Sequence, residues 1–186
     1  MCGLTGCWTK KTDPSLRASV QAMSQTLHHR GPDAGAVWVD ESQGIGLGHT
    51  RLKVIDLSEH GAQPMHSACN RYVLVFNGEI YNHHKLRTEL DERGLAPAWH
   101  GHSDTEILLA GFVAWGVSAT LQRVVGMFSF ALWDKKERRL TLGRDRFGEK
   151  PLYYGWLGRG NSQTFVFGSE LKALRAFPNF DNPINR

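Results

Sequence analysis

The order of the apolar runs constrains the fold most: strand-like segments stand near both ends of the chain, with few helical patterns between them. Strand signals fall at 3–8, 35–39, 45–49 and 71–76, the last a β-branched and aromatic run, Tyr72-Val73-Leu74-Val75-Phe76. They return at 127–133, 139–143, 152–156 and 164–167, with Asp134-Lys135-Lys136-Glu137 reading as a hairpin connection. A helical stripe at 15–29 carries Leu16, Val20, Met23 and Leu27, with Gly31 as its stop; others lie at 81–93 and 104–115, ended by Gly94 and Gly116, and a last short one at 169–176. Mostly strands in an antiparallel-looking order, with a few helices to cover them, predict an α+β fold. No internal repeat divides the chain, so one domain is expected over 1–176. The tail, 177–186, with Pro178, Asn179, Asn182 and Pro183, has the composition of a linker.

At 186 residues, 41% hydrophobic and 22% charged, the chain can bury a sizeable core and is globular. No run approaches the roughly 18 apolar residues of a membrane span, and no leader precedes the first strand, so no membrane association is expected. Cys2, Cys7 and Cys69 are odd in number and lack CxxC spacing, which fits a reducing cytoplasm rather than a disulfide framework. The net charge is +4 with a pI near 9.1, but bases alternate with acids, as in Lys135-Lys136-Glu137-Arg138-Arg139. Without a basic run or a recognition motif, nucleic acid is not an expected partner.

Several short segments carry chemistry. Removal of Met1 leaves Cys2 first in the chain, with a thiol and a free α-amine on one residue. Such an amine titrates near about 7.7–8.0 and can take a proton from its own nucleophile, as in N-terminal Thr enzymes. Gly3 leaves room beside it for a substrate; equally, Cys2 is simply the residue after the start methionine. Asn77-Gly78 reads either as a hairpin turn or as an oxyanion hole built from a carboxamide and a backbone N–H. Ser103 and Glu106 form a capping box that puts Asp104 in a first helical turn, where it either serves the helix or holds a substrate ammonium. Arg51 ends a strand, and its fork suits a carboxylate. Segment 143–150 looks like a phosphate loop but fails, because Lys150 does not directly follow Gly148 and Pro151 stands where Ser or Thr belongs. Gly44-Ile45-Gly46-Leu47-Gly48 has the wrong spacing for a dinucleotide fingerprint, and His100 and His102 lack further ligands, so no metal site is expected.

Cys2-Gly3, His29-Arg30-Gly31-Pro32-Asp33, Gly48-His49-Thr50-Arg51-Leu52, Ala62-Gln63-Pro64-Met65, Phe76-Asn77-Gly78-Glu79-Ile80-Tyr81-Asn82, Ser103-Asp104-Thr105-Glu106 and the stretch 143–154 occur together and in order. The combination resembles the glutaminase domain of class II glutamine amidotransferases, and within them the glutamine-hydrolysing asparagine synthetase type. The resemblance implies an N-terminal-nucleophile hydrolase fold, a four-layer αββα sandwich of two antiparallel sheets between helices. It implies that Cys2 attacks the glutamine side-chain amide with its α-amine as base, and that Asn77 and Gly78 form the oxyanion hole. By the same resemblance Arg51 holds the α-carboxylate and Asp104 the α-ammonium, while Glu79 and the backbone around Leu52 and Val54 line the pocket. Glutamine is the implied substrate, glutamate and ammonia the products, and this half needs no cofactor. The implied partner is a C-terminal synthetase domain or subunit using ATP and Mg, whose Ser-Gly-Gly-x-Asp-Ser loop does not occur here; a homodimer is left open. Two other readings stay open: an acceptor other than aspartate, such as a sugar acid, and a catalytically silent regulatory domain should a retained Met1 acylate the α-amine.

Overall fold

The computed structural model describes residues 1–9, 13–54, 56–159, 163–178 and 180. In chain order its elements are β1 (Gly3–Thr9), α1 (Leu16–Gln25), β2 (Ala34–Asp40), β3 (Ile45–Arg51), β4 (Met65–His66), β5 (Tyr72–Ile80), α2 (His83–Glu92), α3 (Asp104–Trp115), α4 (Val117–Arg123), β6 (Gly126–Asp134), β7 (Arg139–Arg144), β8 (Tyr153–Leu157), β9 (Thr164–Gly168) and α5 (Leu171–Arg175). They form two compact units, residues 1–52 with 151–186, and residues 53–150.

The first unit is built on an antiparallel sheet in the order β2-β3-β1-β9-β8. The stripe Leu16, Val20, Met23 and Leu27 packs against Cys7 and Val166 of this sheet and against Ala173 and Leu174 of α5. Each fully buried aliphatic side chain of this kind contributes about 1.5–3 kcal/mol. The helix is shorter than the stripe. The Thr26 hydroxyl donates to the Met23 carbonyl at 2.7 Å and the Leu27 N–H turns to Ser24, so the chain tightens into a separate 3-10 turn at His28–Arg30. Desolvation, with help from Asp13, pushes the Cys7 thiol up to about 12, which makes it a small apolar filler. The expected linker at 177–186 falls mostly outside the described residues; Phe177 and Phe180 pack against this core.

The second unit carries an antiparallel sheet in the order β4-β5-β6-β7. Phe76, Phe128, Phe130 and Leu132 on one face meet Leu86 and Leu90 of α2 and Ile107, Leu108 and Phe112 of α3. Helix α3 has the bounds its sequence predicts, because Ser103 caps it: the Ser103 Oγ accepts the Glu106 N–H at 3.2 Å. The Glu106 carboxylate departs from the capping-box pattern and accepts the N–H groups of His100 and Gly101 at 2.8 and 3.0 Å. Asn77-Gly78 is no turn: β5 runs through it, pairing Asn77 with Ser129 and Gly78 with Phe128. A Cβ at Gly78 would collide with the Met127 carbonyl, so this position of the ladder admits only glycine. Strand β4 and helix α4 are not foreseen in the sequence; two residues and seven residues are too short to show a period. Among the described residues no helix is long and apolar enough to cross a membrane.

Candidate active site

The expected site residues fall into two groups, one in each unit. In the first unit β1 and β3 are paired, with Gly3 opposite Thr50, which brings Cys2 beside the end of β3. A Cβ on Gly3 would stand 2.6 Å from the Thr50 Oγ1 and 2.9 Å from the Leu27 Cβ, so glycine here is also a packing requirement. The partly buried Cys2 Sγ lies against the Leu52 backbone, 3.4 Å from the N–H that donates to it and 3.7 Å from the carbonyl it donates to. Arg51 is buried at 6% exposure, and its carbonyl accepts the Asp33 N–H at 3.1 Å. Met1 is 58% exposed, open to removal.

The second group collects around β5. Phe128 turns both its N–H and its carbonyl to Asp145, so Gly78 opposite it turns its own backbone groups to the other edge of β5. On that edge the Phe76 N–H donates to the Gln63 Oε1 at 2.6 Å and the Ile80 N–H to the Asp104 Oδ2 at 2.8 Å. The Gly78 N–H stands between them, where a ligand can meet it. Asn77 and Glu79 share the face away from α2 and α3. Asn77 is 1% exposed, and its Nδ2 has no hydrogen-bond partner among the described residues. Leaving such a donor unpaired costs about 1–3 kcal/mol, which a fold tolerates where a ligand supplies the acceptor. Asp104 is 5% exposed, and desolvation raises its pKa despite N–H bonds from Ile80 and Thr105 and the nearby His83. The Val54 side chain is 68% exposed.

The family described as "Glutamine amidotransferase domain" matches this chain over residues 1–186. The chain belongs to that family, as a class II glutamine amidotransferase domain. It is 39% identical over 192 residues to asparagine synthetase (glutamine-hydrolyzing) 3 of Bacillus subtilis (strain 168), covering 100% of this chain and 29% of that protein. To asparagine synthetase B (glutamine-hydrolyzing) of Escherichia coli (strain K12) it is 38% identical over 175 residues, covering 94% of this chain and 30% of that one. The chain thus spans about three-tenths of the length of these curated relatives. The solved glutamine phosphoribosylpyrophosphate amidotransferase of B. subtilis, complexed with ADP and GMP, matches 95% of this chain and 43% of its own at a TM-score of 0.74. At 20% identity that likeness shows the fold alone, and it is the α+β fold of two antiparallel sheets expected from the sequence.

Three residues of this amidotransferase domain do more than their local sequence suggests. Arg30 reads as part of a helix stop, yet its Nε donates to the Cys2 carbonyl at 2.9 Å and its Nη1 to the Glu170 Oε1 at 3.0 Å. Burial pushes Glu170 up, but Arg30, His29 and Lys172 outweigh it and hold the carboxyl at about 2. Gln63 ties β5 to α3, since its Nε2 also donates to the Thr105 Oγ1 at 3.4 Å. The Arg30-Gly31-Pro32-Asp33 and Ala62-Gln63-Pro64-Met65 strings were the available signals. Neither string says which atom it will hold.

Proposed function

We propose that this domain hydrolyses glutamine to glutamate and ammonia through a Cys2 thioester. The ammonia then goes to an ATP- and Mg-dependent domain of asparagine synthetase type within a longer, cytoplasmic protein. The observation that carries the reading is the pair of donors on β5, the buried unpartnered Asn77 carboxamide and the Gly78 N–H, with Asp104 next to them. After removal of Met1, the α-amine of Cys2 takes the thiol proton and Sγ attacks the side-chain carbonyl carbon of glutamine. Negative charge develops on the amide oxygen, where Asn77 and Gly78 donate to it; one such donor is worth about 2.7–4 kcal/mol of barrier. The protonated amine then gives its proton to the leaving nitrogen and ammonia departs. Water attacks the thioester with the amine again as base, and the proton returns to sulfur as glutamate leaves. Arg51 holds the α-carboxylate and Asp104 the α-ammonium, while Glu79 and the backbone around Leu52 and Val54 line the rest. A fork for the carboxylate and a buried acid for the ammonium select a free amino acid over a peptide amide.

The test is intact mass before and after incubation with 6-diazo-5-oxo-norleucine, together with glutamine-dependent ammonia release. The expected chain lacks Met1, gains one adduct at Cys2 and releases ammonia, and Cys2→Ala loses adduct and turnover while keeping its unfolding transition. A chain that retains Met1, takes no adduct and releases no ammonia overturns the reading.

A further inference from the structure

We infer that Gln63 is a positioning residue for the amide-cleaving step, its carboxamide ending the β4 ladder so that the Gly78 N–H stays open to the glutamine amide oxygen. The inference rests on the glutaminase reading above. All the groups involved lie in the second unit. Along the edge of β5 that faces away from β6, the backbone groups of residues 72, 74, 76, 78 and 80 point outward in turn. The Ser67 Oγ accepts the Tyr72 N–H at 2.9 Å, and Met65 of β4 pairs with Leu74. The Gln63 Oε1 accepts the Phe76 N–H at 2.6 Å, and the Asp104 Oδ2 the Ile80 N–H at 2.8 Å. In this row only the Gly78 N–H has no acceptor among the described residues.

The register of β4 shows what Gln63 prevents. Met65 stands opposite Leu74 and His66 opposite Val73. Continued backward in that register, the backbone of residue 63 would face Phe76, and that of residue 61 would face Gly78 and take its N–H. The chain does neither. Glu59–Gly61 is a 3-10 turn, and at Gln63 the side chain takes over from the backbone, so the ladder stops one step short of Gly78. Gln63 is 8% exposed, and the other arm of its carboxamide anchors it, the Nε2 donating to the Thr105 Oγ1 at 3.4 Å. The start of α3 does not depend on that arm, because the Ser103 cap and the bond from Ile80 to Asp104 hold it as well. Loss of Gln63 therefore falls on the oxyanion donor, not on the acid for the ammonium. Acceptors on Phe76 and Ile80 clamp the stretch of strand between them, and a catalytic group displaced by about 1 Å can cost about a hundredfold in rate.

The test compares Gln63→Met and Ser67→Ala with the parent chain in unfolding temperature, kcat and KM for glutamine, and affinity for two ligands. One ligand is the γ-aldehyde of glutamate, which adds to the Cys2 thiol and places a tetrahedral oxygen on the donors; the other is glutamate itself. Each variant removes one side-chain acceptor from a buried N–H on the same edge of β5, beside Gly78 for Gln63 and at the far end of the strand for Ser67. Both are expected to lower the unfolding temperature by a few degrees. Gln63→Met is expected to lose about tenfold in kcat and in aldehyde affinity, while KM and glutamate affinity stay within about threefold. Ser67→Ala is expected to keep all four within about twofold of the parent. Parental kcat and aldehyde affinity in Gln63→Met overturn the inference and leave the glutaminase reading standing. So does a Gln63→Met whose KM and glutamate affinity suffer as much as its kcat, or a Ser67→Ala that loses kcat to the same extent, since either makes the carboxamide structural. Should Gln63→Met not fold, Thr105→Val decides, because it removes only the anchor of the Nε2. A loss of about threefold in kcat and in aldehyde affinity is then expected, and parental values overturn the inference. A parent chain that neither releases ammonia nor takes up the aldehyde overturns both the inference and the reading on which it rests.

Discussion

Asp104 and Asp145 lie in the same unit and are similarly shielded from solvent, with 5% and 6% exposure, but Asp104 is packed more deeply, and their carboxyls are displaced in opposite directions. Burial disfavours the charge on both. At Asp145 it is outweighed, because the N–H groups of Phe128, Phe147, Glu149 and Lys150 all donate to it, at 2.9 to 3.2 Å, and its pKa falls. At Asp104 desolvation prevails over the N–H groups of Ile80 and Thr105 and the nearby His83, Glu79 adds repulsion, and the pKa rises. Asp145 is saturated by its own loop together with Phe128 of β6, and Asp104 is under-served. That loop is the segment whose glycines resemble a phosphate cradle, and the anion its N–H groups collect is the chain's own carboxylate. Heavier desolvation and a poorer supply of donors at Asp104, against four N–H donors at Asp145, thus separate the two carboxyls.

The comparison breaks or sharpens in four ways. Asp104→Asn is expected to raise the glutamine KM by about a hundredfold, the loss of a charged hydrogen bond to the substrate ammonium, with no loss of unfolding free energy at neutral pH. An unchanged KM would make Asp104 a helix-terminal residue like any other. Asp145→Asn is expected to do the reverse, costing about 3 kcal/mol in denaturant unfolding while folded molecules keep their glutamine KM.

Acid should separate the two carboxyls. Asp104, with its raised pKa, takes up its proton at a pH where ordinary aspartates are still charged, so the glutamine KM rises there. Its protonation favours the folded state, so stability does not fall with it. Asp145, with its lowered pKa, stabilises the fold above the ordinary aspartate range, and that contribution is lost progressively as pH falls from the ordinary value through its native one. Affinity and stability that decline together across a pH titration would contradict the contrast. The smallest effect is expected from Glu170→Gln, which loosens Arg30 from beside Cys2 and costs about 1 kcal/mol, the pair being partly exposed. Glu170 is held near 2 against an ordinary 4.5, so the variant should lose the part of the acid dependence of stability between those values. A parent and variant with superimposable acid titrations would show that this carboxylate does not restrain Arg30.

Much of this was legible in order along the chain. The Ser103 cap and the glycine after Trp115 fixed both ends of α3, and the apolar stripe of α1 is the face it buries. What escaped was set by partners far away in sequence. The 15–29 stripe breaks at Thr26, where a hydroxyl captures a carbonyl one turn back, a choice that hydrophobic spacing does not encode. Asn77-Gly78 carries a turn signal, and only its partners on β6 make it strand. Arg30 and Glu170 are 140 residues apart, so no window along the sequence contains the ion pair beside Cys2.

By itself the sequence determined the family, most of the strands and helices and the identity of the polar groups, because periodicity, caps and motif order are local properties. Tertiary structure decided which of those groups are satisfied. Phe128 turns to Asp145, Gly78 therefore faces the opposite edge, and Asn77 and Ser129 meet across two strands with their polar atoms unclaimed. A hydrogen bond left unmade depends on the position of every neighbour, and only the folded chain fixes all of those positions together.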